Sequence, residues 1–181
     1  NFPRLERRLP SAHEGKLIHG SSLFDGRAAK AMRFGSAVHA VFECIEWWND
    51  KAKAKVEGLR ESETEAVEVV EKCLKTEEIA ALFQHDGDEA AVWRERAFEL
   101  VMEEEICSGV FDRVVVHDGH AEVIDFKTDR VKSEADITEA VERHREQMEW
   151  YRRVLTQLTV LPGARTTCRL LFTHPRRVVT L

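Results

Sequence analysis

One stretch of the chain leaves the backbone little freedom: Gly109-Val110-Phe111-Asp112-Arg113-Val114-Val115-Val116-His117-Asp118-Gly119-His120-Ala121-Glu122-Val123-Ile124-Asp125-Phe126-Lys127. Asp118-Gly119 between two apolar runs predicts a tight β-hairpin, because a type I′ turn needs φ > 0 at both central residues. Folding about that dipeptide sets Asp112 opposite Asp125. Side chains alternate along a strand, so Lys127 shares their face. The same alternation puts Val110, Val114, Val116, Ala121 and Val123 there too, which makes it an apolar face with charges at one end. Two carboxylates roughly 4.5–5.5 Å apart at Cβ destabilise a sheet. A divalent cation between them is the simplest compensation.

The remaining 160 or so residues are organised around that hairpin. The chain has 181 residues, 43% hydrophobic and 33% charged, enough for one domain with a sizeable core. No apolar run approaches the ~18 residues of a membrane span, and the first residues, broken by Pro3 and Pro10, do not read as a signal peptide. A start at Asn1 suggests a piece of a longer protein. Cys44, Cys73, Cys107 and Cys168 form no CxxC pair, which argues against a zinc or iron–sulfur site and fits a reducing cytoplasm. The net charge of −6 is unfavourable for a domain that grips a phosphate backbone alone. Acid concentrates between Glu61 and Glu78 and at Glu103-Glu104-Glu105, and base gathers at the two ends.

Residues 1–26 lack periodicity and read as an irregular lead-in or former interdomain segment; 27–181 read as the domain proper. The apolar stripe Val38, Phe42, Ile45 predicts a helix over about Ala28–Asn49. An acidic helix follows over about Ser62–Leu74, with Ala66, Val69, Val70 and Cys73 inward, then a short one over Glu77–Phe83 and a loop over Gln84–Glu89. From Val92 the period changes to two, which predicts a three-stranded meander: Val92–Met102, Ile106–His117 and Ala121–Lys127. A long helix over Ile137–Leu158 ends before Pro162-Gly163. Thr166–Phe172 and Val178–Leu181 read as further strands. The expected fold is α/β, a mixed central sheet flanked by helices.

Carboxylate oxygens are the donors Mg²⁺ prefers, usually one or two of them together with water and substrate phosphate. The Phe126 backbone carbonyl, between Asp125 and Lys127, offers another oxygen. Lys127 beside two carboxylates is expected to stay protonated. It is therefore assigned as an electrostatic stabiliser rather than a general base.

Val123-Ile124-Asp125-Phe126-Lys127-Thr128-Asp129 following Gly109-Val110-Phe111-Asp112-Arg113 resembles the RecB/AddA branch of the PD-(D/E)XK nucleases, the nuclease domains of bacterial helicase–nucleases. Gly35-Ser36-Ala37-Val38-His39 resembles that branch's Gly-x-x-x-His helix. Trp93-Arg94-Glu95-Arg96-Ala97-Phe98 resembles its first strand, and Gln147-Met148-Glu149-Trp150-Tyr151 its Gln-x-x-x-Tyr helix. The resemblance covers about residues 31–172, in order. It implies a restriction-endonuclease-like core with His39, Asp112, Asp125 and the Phe126 carbonyl as ligands of Mg²⁺ or Mn²⁺. Asp112, Asp125 and Lys127 are then catalytic, Gln147 and Tyr151 contact DNA, and Glu95 is a further active-site residue. His144, on the Gln147 stripe, is an additional candidate.

A related branch holds an iron–sulfur cluster through one early cysteine and a later trio. Only Cys168 lies near the C-terminus here, so no cluster is expected. The stretch also has no phosphate-binding Gly-x-x-x-x-Gly-Lys-Ser/Thr loop, so any ATP site lies elsewhere. The implied function is metal-dependent hydrolysis of DNA phosphodiester bonds in double-strand-break repair, on single strands fed by an upstream helicase motor, with a partner subunit in some assemblies. The alternatives are a non-catalytic DNA-end-binding scaffold of the same fold and a standalone repair nuclease.

Overall fold

The computed structural model describes residues 6–8, 26–85, 90–102, 104–117, 119–159 and 165–181. In chain order these form β1 (Glu6–Arg8), α1 (Gly26–Glu43), α2 (Asp50–Gly58), α3 (Thr64–Leu74), α4 (Glu77–Ala81), β2 (Ala91–Met102), β3 (Glu105–His117), β4 (His120–Lys127), α5 (Glu134–Thr159), β5 (Thr166–Phe172) and β6 (Arg177–Thr180). β1 lies within the stretch expected to be irregular. Asp118 and Pro162-Gly163 fall outside the described residues, as does most of the expected Gln84–Glu89 loop. Gly119 has φ +69°, as the hairpin turn requires.

The sheet is mixed. Its strands run β1-β3-β4-β5-β6, with β2 lying along β3. The hairpin has the expected register from His117↔His120 through Val114↔Val123 to Arg113↔Ile124, but the ladder ends there. Asp112, expected opposite Asp125 and on its face, instead accepts from Phe126 N and turns to the other side of the sheet. β4 and β5 are parallel, with Asp125 opposite Leu170, so α5 is the crossover between them. β3 is flanked by β2 along nearly its whole length. Its other side pairs with β4 at residues 113–117 and with β1 at residues 105–107. Among the described residues no strand fills the interval between, and the charged residues gather there.

Each face of the sheet carries its own core. One packs α5 against the sheet through Val141, Met148, Val154 and Leu155, meeting Phe111, Val114, Val123, Leu170 and Phe172. The other packs α1, α2, α3 and α4 through Val38, Phe42, Val56, Val70 and Ile79, with Phe83 just after α4, meeting Ile124, Phe126 and Leu171. Along β4 the alternation is clean: Ala121 and Val123 join the first core, Ile124 and Phe126 the second. Phe126 stacks on Phe42 at 4.2 Å between ring centroids, and this docks α1.

Several helix expectations need correcting. α1 stops at Glu43 rather than continuing to Asn49, and α2 follows, an element the periodicity did not predict. Asn49 caps α2, its side-chain oxygen accepting from Ala52 N at 3.0 Å. The break lets Ile45 and Trp47 turn inward, while Trp48 N donates to Phe83 O at 2.7 Å. In α3, Val67 rather than Val69 is fully buried, because Leu74 joins the stripe and rotates its centre. α5 begins one turn before Ile137. Ser133 and Asp136 form a reciprocal N-terminal cap: Asp136 N donates to Ser133 Oγ at 3.1 Å, and Ser133 N to Asp136 Oδ2 at 3.0 Å.

Candidate active site

The site is built around a local reversal in two strands. Arg94 pairs with Arg113 and Arg96 with Phe111, and between them Glu95 adopts φ +44° opposite Asp112. A non-glycine residue in that region costs roughly 1–3 kcal/mol and persists only where its surroundings impose it. The consequence can be read from the cores. Trp93 packs on the α5 core, yet so do Phe98, Leu100 and Met102, of the opposite parity. On β3, Val114 and Val116 face that core, and so do Cys107 and Phe111. Both strands therefore switch faces at the Glu95/Asp112 level. Val110 was expected to share the apolar face with Val114; the switch leaves it 40% exposed and gives its place to Phe111.

The reversal turns Glu95 and Asp112 toward α1, which presents His39. His39 Nδ1 lies 3.4 Å from Glu95 Oε1 and 3.5 Å from Asp112 Oδ1. His39 Nε2 lies 3.0 Å from Phe126 O; a carbonyl only accepts, so Nε2 carries the proton and donates. Phe126 N donates to Asp112 Oδ2 at 2.7 Å, which ties the carboxylate to β4. Gly35 sits one turn before His39. A Cβ there would lie 3.2 Å from Thr128 Oγ1, so the small residue lets α1 approach the end of β4.

Negative charge is concentrated around His39. Burial alone would lower the His39 pKa, but the Asp112 and Glu95 carboxylates and the charge of Asp125 outweigh it and raise the pKa to about 10. Glu95 Oε1 is buried, and its 3.4 Å approach to His39 is an ion pair rather than a formed hydrogen bond. One donor atom from each of His39, Glu95 and Asp112 lies within 4.8 Å of the others. With Nε2–H committed to Phe126 O, Nδ1 faces the two carboxylates and would bind a metal once it gives up its proton. That set of one imidazole and two carboxylates could hold a divalent cation, and the acceptor on the far ring nitrogen fixes the tautomer such a ligand needs.

Asp125 and Lys127 lie beside this group, on the α5 side of β4. Lys127 Nζ is 3.0 Å from Asp125 Oδ2 and donates to Gln147 Oε1 at 3.1 Å, and both members of the ion pair are almost wholly buried. Gln147 Nε2 donates to Tyr151 Oη at 3.2 Å, and Tyr151 Oη donates to Val110 O at 2.9 Å. Gln147 and Tyr151, expected at the DNA, are thus buried in a hydrogen-bonded chain that ends on Lys127. The structure brings Glu95 into the same group as His39 and Asp112. It places Asp125 against Lys127, and it engages the Phe126 carbonyl, expected as a ligand, with His39.

Two participants escaped the sequence. Arg113, 1% exposed, donates to Ile45 O at 3.0 Å and Glu46 O at 2.8 Å, and lies over the Phe83 ring at 4.5 Å. Burial pushes its pKa down to about 10. It ties β3 to the segment that ends α1; an arginine beside Asp112 in the otherwise apolar run Val110–Val116 was the available signal. Asp129 lies 3.6 Å from the buried His144 Nε2, and the His144 imidazole holds its carboxyl below the usual range. His144 therefore braces the loop after β4.

A family profile described as the PD-(D/E)XK nuclease superfamily matches residues 14–179. The chain is similar to an ATP-dependent helicase/nuclease subunit of Enterococcus faecalis, at 28% identity over 171 residues, covering 81% of this chain and 14% of that protein. It is also similar to the corresponding ATP-dependent helicase/nuclease subunit of Limosilactobacillus fermentum, at 35% identity over 81 residues, covering 43% of this chain and 6% of that protein. The chain therefore spans a small fraction of the length of these curated relatives. It belongs to the PD-(D/E)XK nuclease superfamily, as a nuclease domain of the RecB/AddA type.

Proposed function

We propose that this domain hydrolyses DNA phosphodiester bonds with the help of Mg²⁺ or Mn²⁺, as the nuclease part of an ATP-dependent helicase–nuclease acting in double-strand-break repair. The observation that carries this reading is the convergence of His39, Glu95 and Asp112, from three different elements, within 4.8 Å beside the Asp125–Lys127 ion pair. The donor set is nitrogen and oxygen without thiolate, which suits a hard divalent cation. When bound, such a cation supplies an acidified water and neutralises charge on the phosphate.

The chain's own groups do the rest. His39, Glu95 and Asp112 hold the cation, and Asp125, whose charge acts on His39 from beside that group, orients the attacking water. The Phe126 carbonyl keeps the His39 ring in its ligating tautomer. Lys127 places its ammonium at the scissile phosphate and stabilises charge that grows in the transition state. Gln147 and Tyr151 hold Lys127 in place through the chain that ends on Val110 O. Single strands arriving from a motor elsewhere in the parent protein fit a domain whose own net charge is −6. No helix among the described residues is long and apolar enough to cross a membrane. Cys44, Cys73, Cys107 and Cys168 are in the thiol form, which suits a reducing cytoplasmic setting.

The test is cleavage of end-labelled single-stranded DNA by the intact protein with Mg²⁺, Mn²⁺ or EDTA, comparing wild type with Asp125→Ala. Wild type cuts with metal and stops in EDTA, and Asp125→Ala loses roughly a hundredfold or more. Equal cutting by the two proteins, or cutting that persists in EDTA, refutes the assignment.

A further inference from the structure

The outer edge of β2 carries a feature that the catalytic cluster does not use. Among the described residues β2 pairs only with β3, so its other edge is open. A cavity of about 540 Å³ runs along it, lined by Glu43 and by residues 92–97. A second cavity of about 380 Å³ contains His39, and the two share Glu43 and Glu95 as a common wall. The first cavity thus leads to the metal cluster. Trp93 and Arg96 lie within it, on either side of Glu95, with the Arg96 guanidinium 4.3 Å from the centroid of the Trp93 ring. Arg96 is exposed and Trp93 half-buried, its inner side resting on the α5 core. The neighbouring Arg94 is already committed, donating to Glu43 O at 2.8 Å and approaching Glu46. The exposed cation at this wall is therefore Arg96.

Resting on the nuclease reading above, we propose that Trp93 and Arg96 form the subsite for the unpaired nucleotide next to the scissile phosphate. The base stacks on the Trp93 indole, and Arg96 swings from the ring to the backbone phosphate. The chemistry is that of a single-strand platform, an aromatic face that any base can cover beside a cation for the backbone. The guanidinium that covers the ring in the free protein is flat and cationic, the kind of group a base replaces without loss of stacking. The reversal at Glu95 is what brings the two side chains together, since Trp93 and Arg96 have opposite parity and would otherwise point to opposite faces of β2. A residue binding the nucleotide and a residue binding the metal are thereby spaced by only two positions, roughly 6.6 Å of strand.

The test compares two substrates in the intact protein with Mn²⁺: an oligo-dT single strand and bis(p-nitrophenyl) phosphate, a phosphodiester with no base to stack. Trp93→Ala is expected to raise KM for the oligonucleotide roughly tenfold or more, with hydrolysis of the small diester unchanged. Trp93→Phe, which keeps an aromatic face, retains most of the affinity. Arg96→Gln raises KM less, and it reduces the salt dependence of oligonucleotide binding. If wild type cuts DNA and Trp93→Ala has the same KM, the pair is only a staple of the edge strand and the subsite is wrong, while the nuclease reading stands. Equal loss on both substrates also overturns it, because Trp93 then merely supports Glu95. A wild type that cuts neither substrate overturns the nuclease reading and the subsite together.

Discussion

Gln147 shows how a residue's neighbours decide its role. On a helix wheel it shares a stripe with Tyr151 and faces wherever α5 faces, and a DNA contact is a natural expectation for both. In the fold they are 6% and 3% exposed, and Gln147 spends its carbonyl on Lys127 and its amide on Tyr151. A positioning role and a DNA-contact role separate kinetically. Gln147→Leu is expected to lower kcat roughly tenfold or more, because Lys127 loses an orienting acceptor, and to leave KM for DNA within about twofold. Steady-state kinetics on single-stranded DNA check this, and a raised KM at constant kcat would favour the DNA-contact role instead. Glu95, which the resemblance marks as an active-site residue, alternates with Arg94 and Arg96 in a pattern that by itself would suit a surface charge. Its left-handed backbone is what removes it from the surface, and no pattern of side-chain polarity encodes that. His39 gains its meaning from Phe126 O, an acceptor supplied by backbone 87 residues away.

Among elements, those with strong local signals were legible. The Asp118-Gly119 hairpin register is the one the turn dictates, down to Arg113↔Ile124. β5 spans Thr166–Phe172 as its composition predicts. The end of α1 and the existence of α2 were not legible, because no proline or glycine marks the break. The chain turns there to bury Ile45 and Trp47 and to meet Arg113, all tertiary causes. α5 is fixed at its start by the Ser133/Asp136 cap, whose backbone hydrogen bonds from Lys132 and Ser133 hold the Asp136 carboxyl below its usual range. Ser133→Ala is expected to cost about 1 kcal/mol of stability, read as a lower urea midpoint at unchanged m-value, with cleavage activity retained. A loss of activity larger than the loss of folded protein would mean that the start of α5 also positions the site.

At the scale of the molecule, the site exists because three layers meet at one interval of the sheet. α1 brings His39 from one face, β2 and β3 bring Glu95 and Asp112 from within the sheet, and α5 braces Lys127 from the other face. Arg113 links the first layer to the second. Arg113→Ala removes hydrogen bonds to three carbonyls, those of Ile45, Glu46 and Leu82, and leaves a cavity between Phe83 and Trp47. It is expected to cost about 3 kcal/mol or more and to weaken Mn²⁺ binding as well, since α1 then loosens its hold on His39. Urea unfolding and Mn²⁺ titration calorimetry check the two effects. Lost stability with intact Mn²⁺ affinity would show that Phe126–Phe42 stacking alone docks α1. The sequence by itself determined the α/β class, the hairpin, the ordered motifs and the residue types of the site, because turn chemistry and hydrophobic period act over a few residues. Only the tertiary structure decided which carboxylates face His39, what holds Lys127, and that Trp93 and Arg96 lie together beside Glu95. Those outcomes rest on one residue's backbone reversal and on contacts between segments distant in the chain, and neither leaves a periodic trace in the sequence.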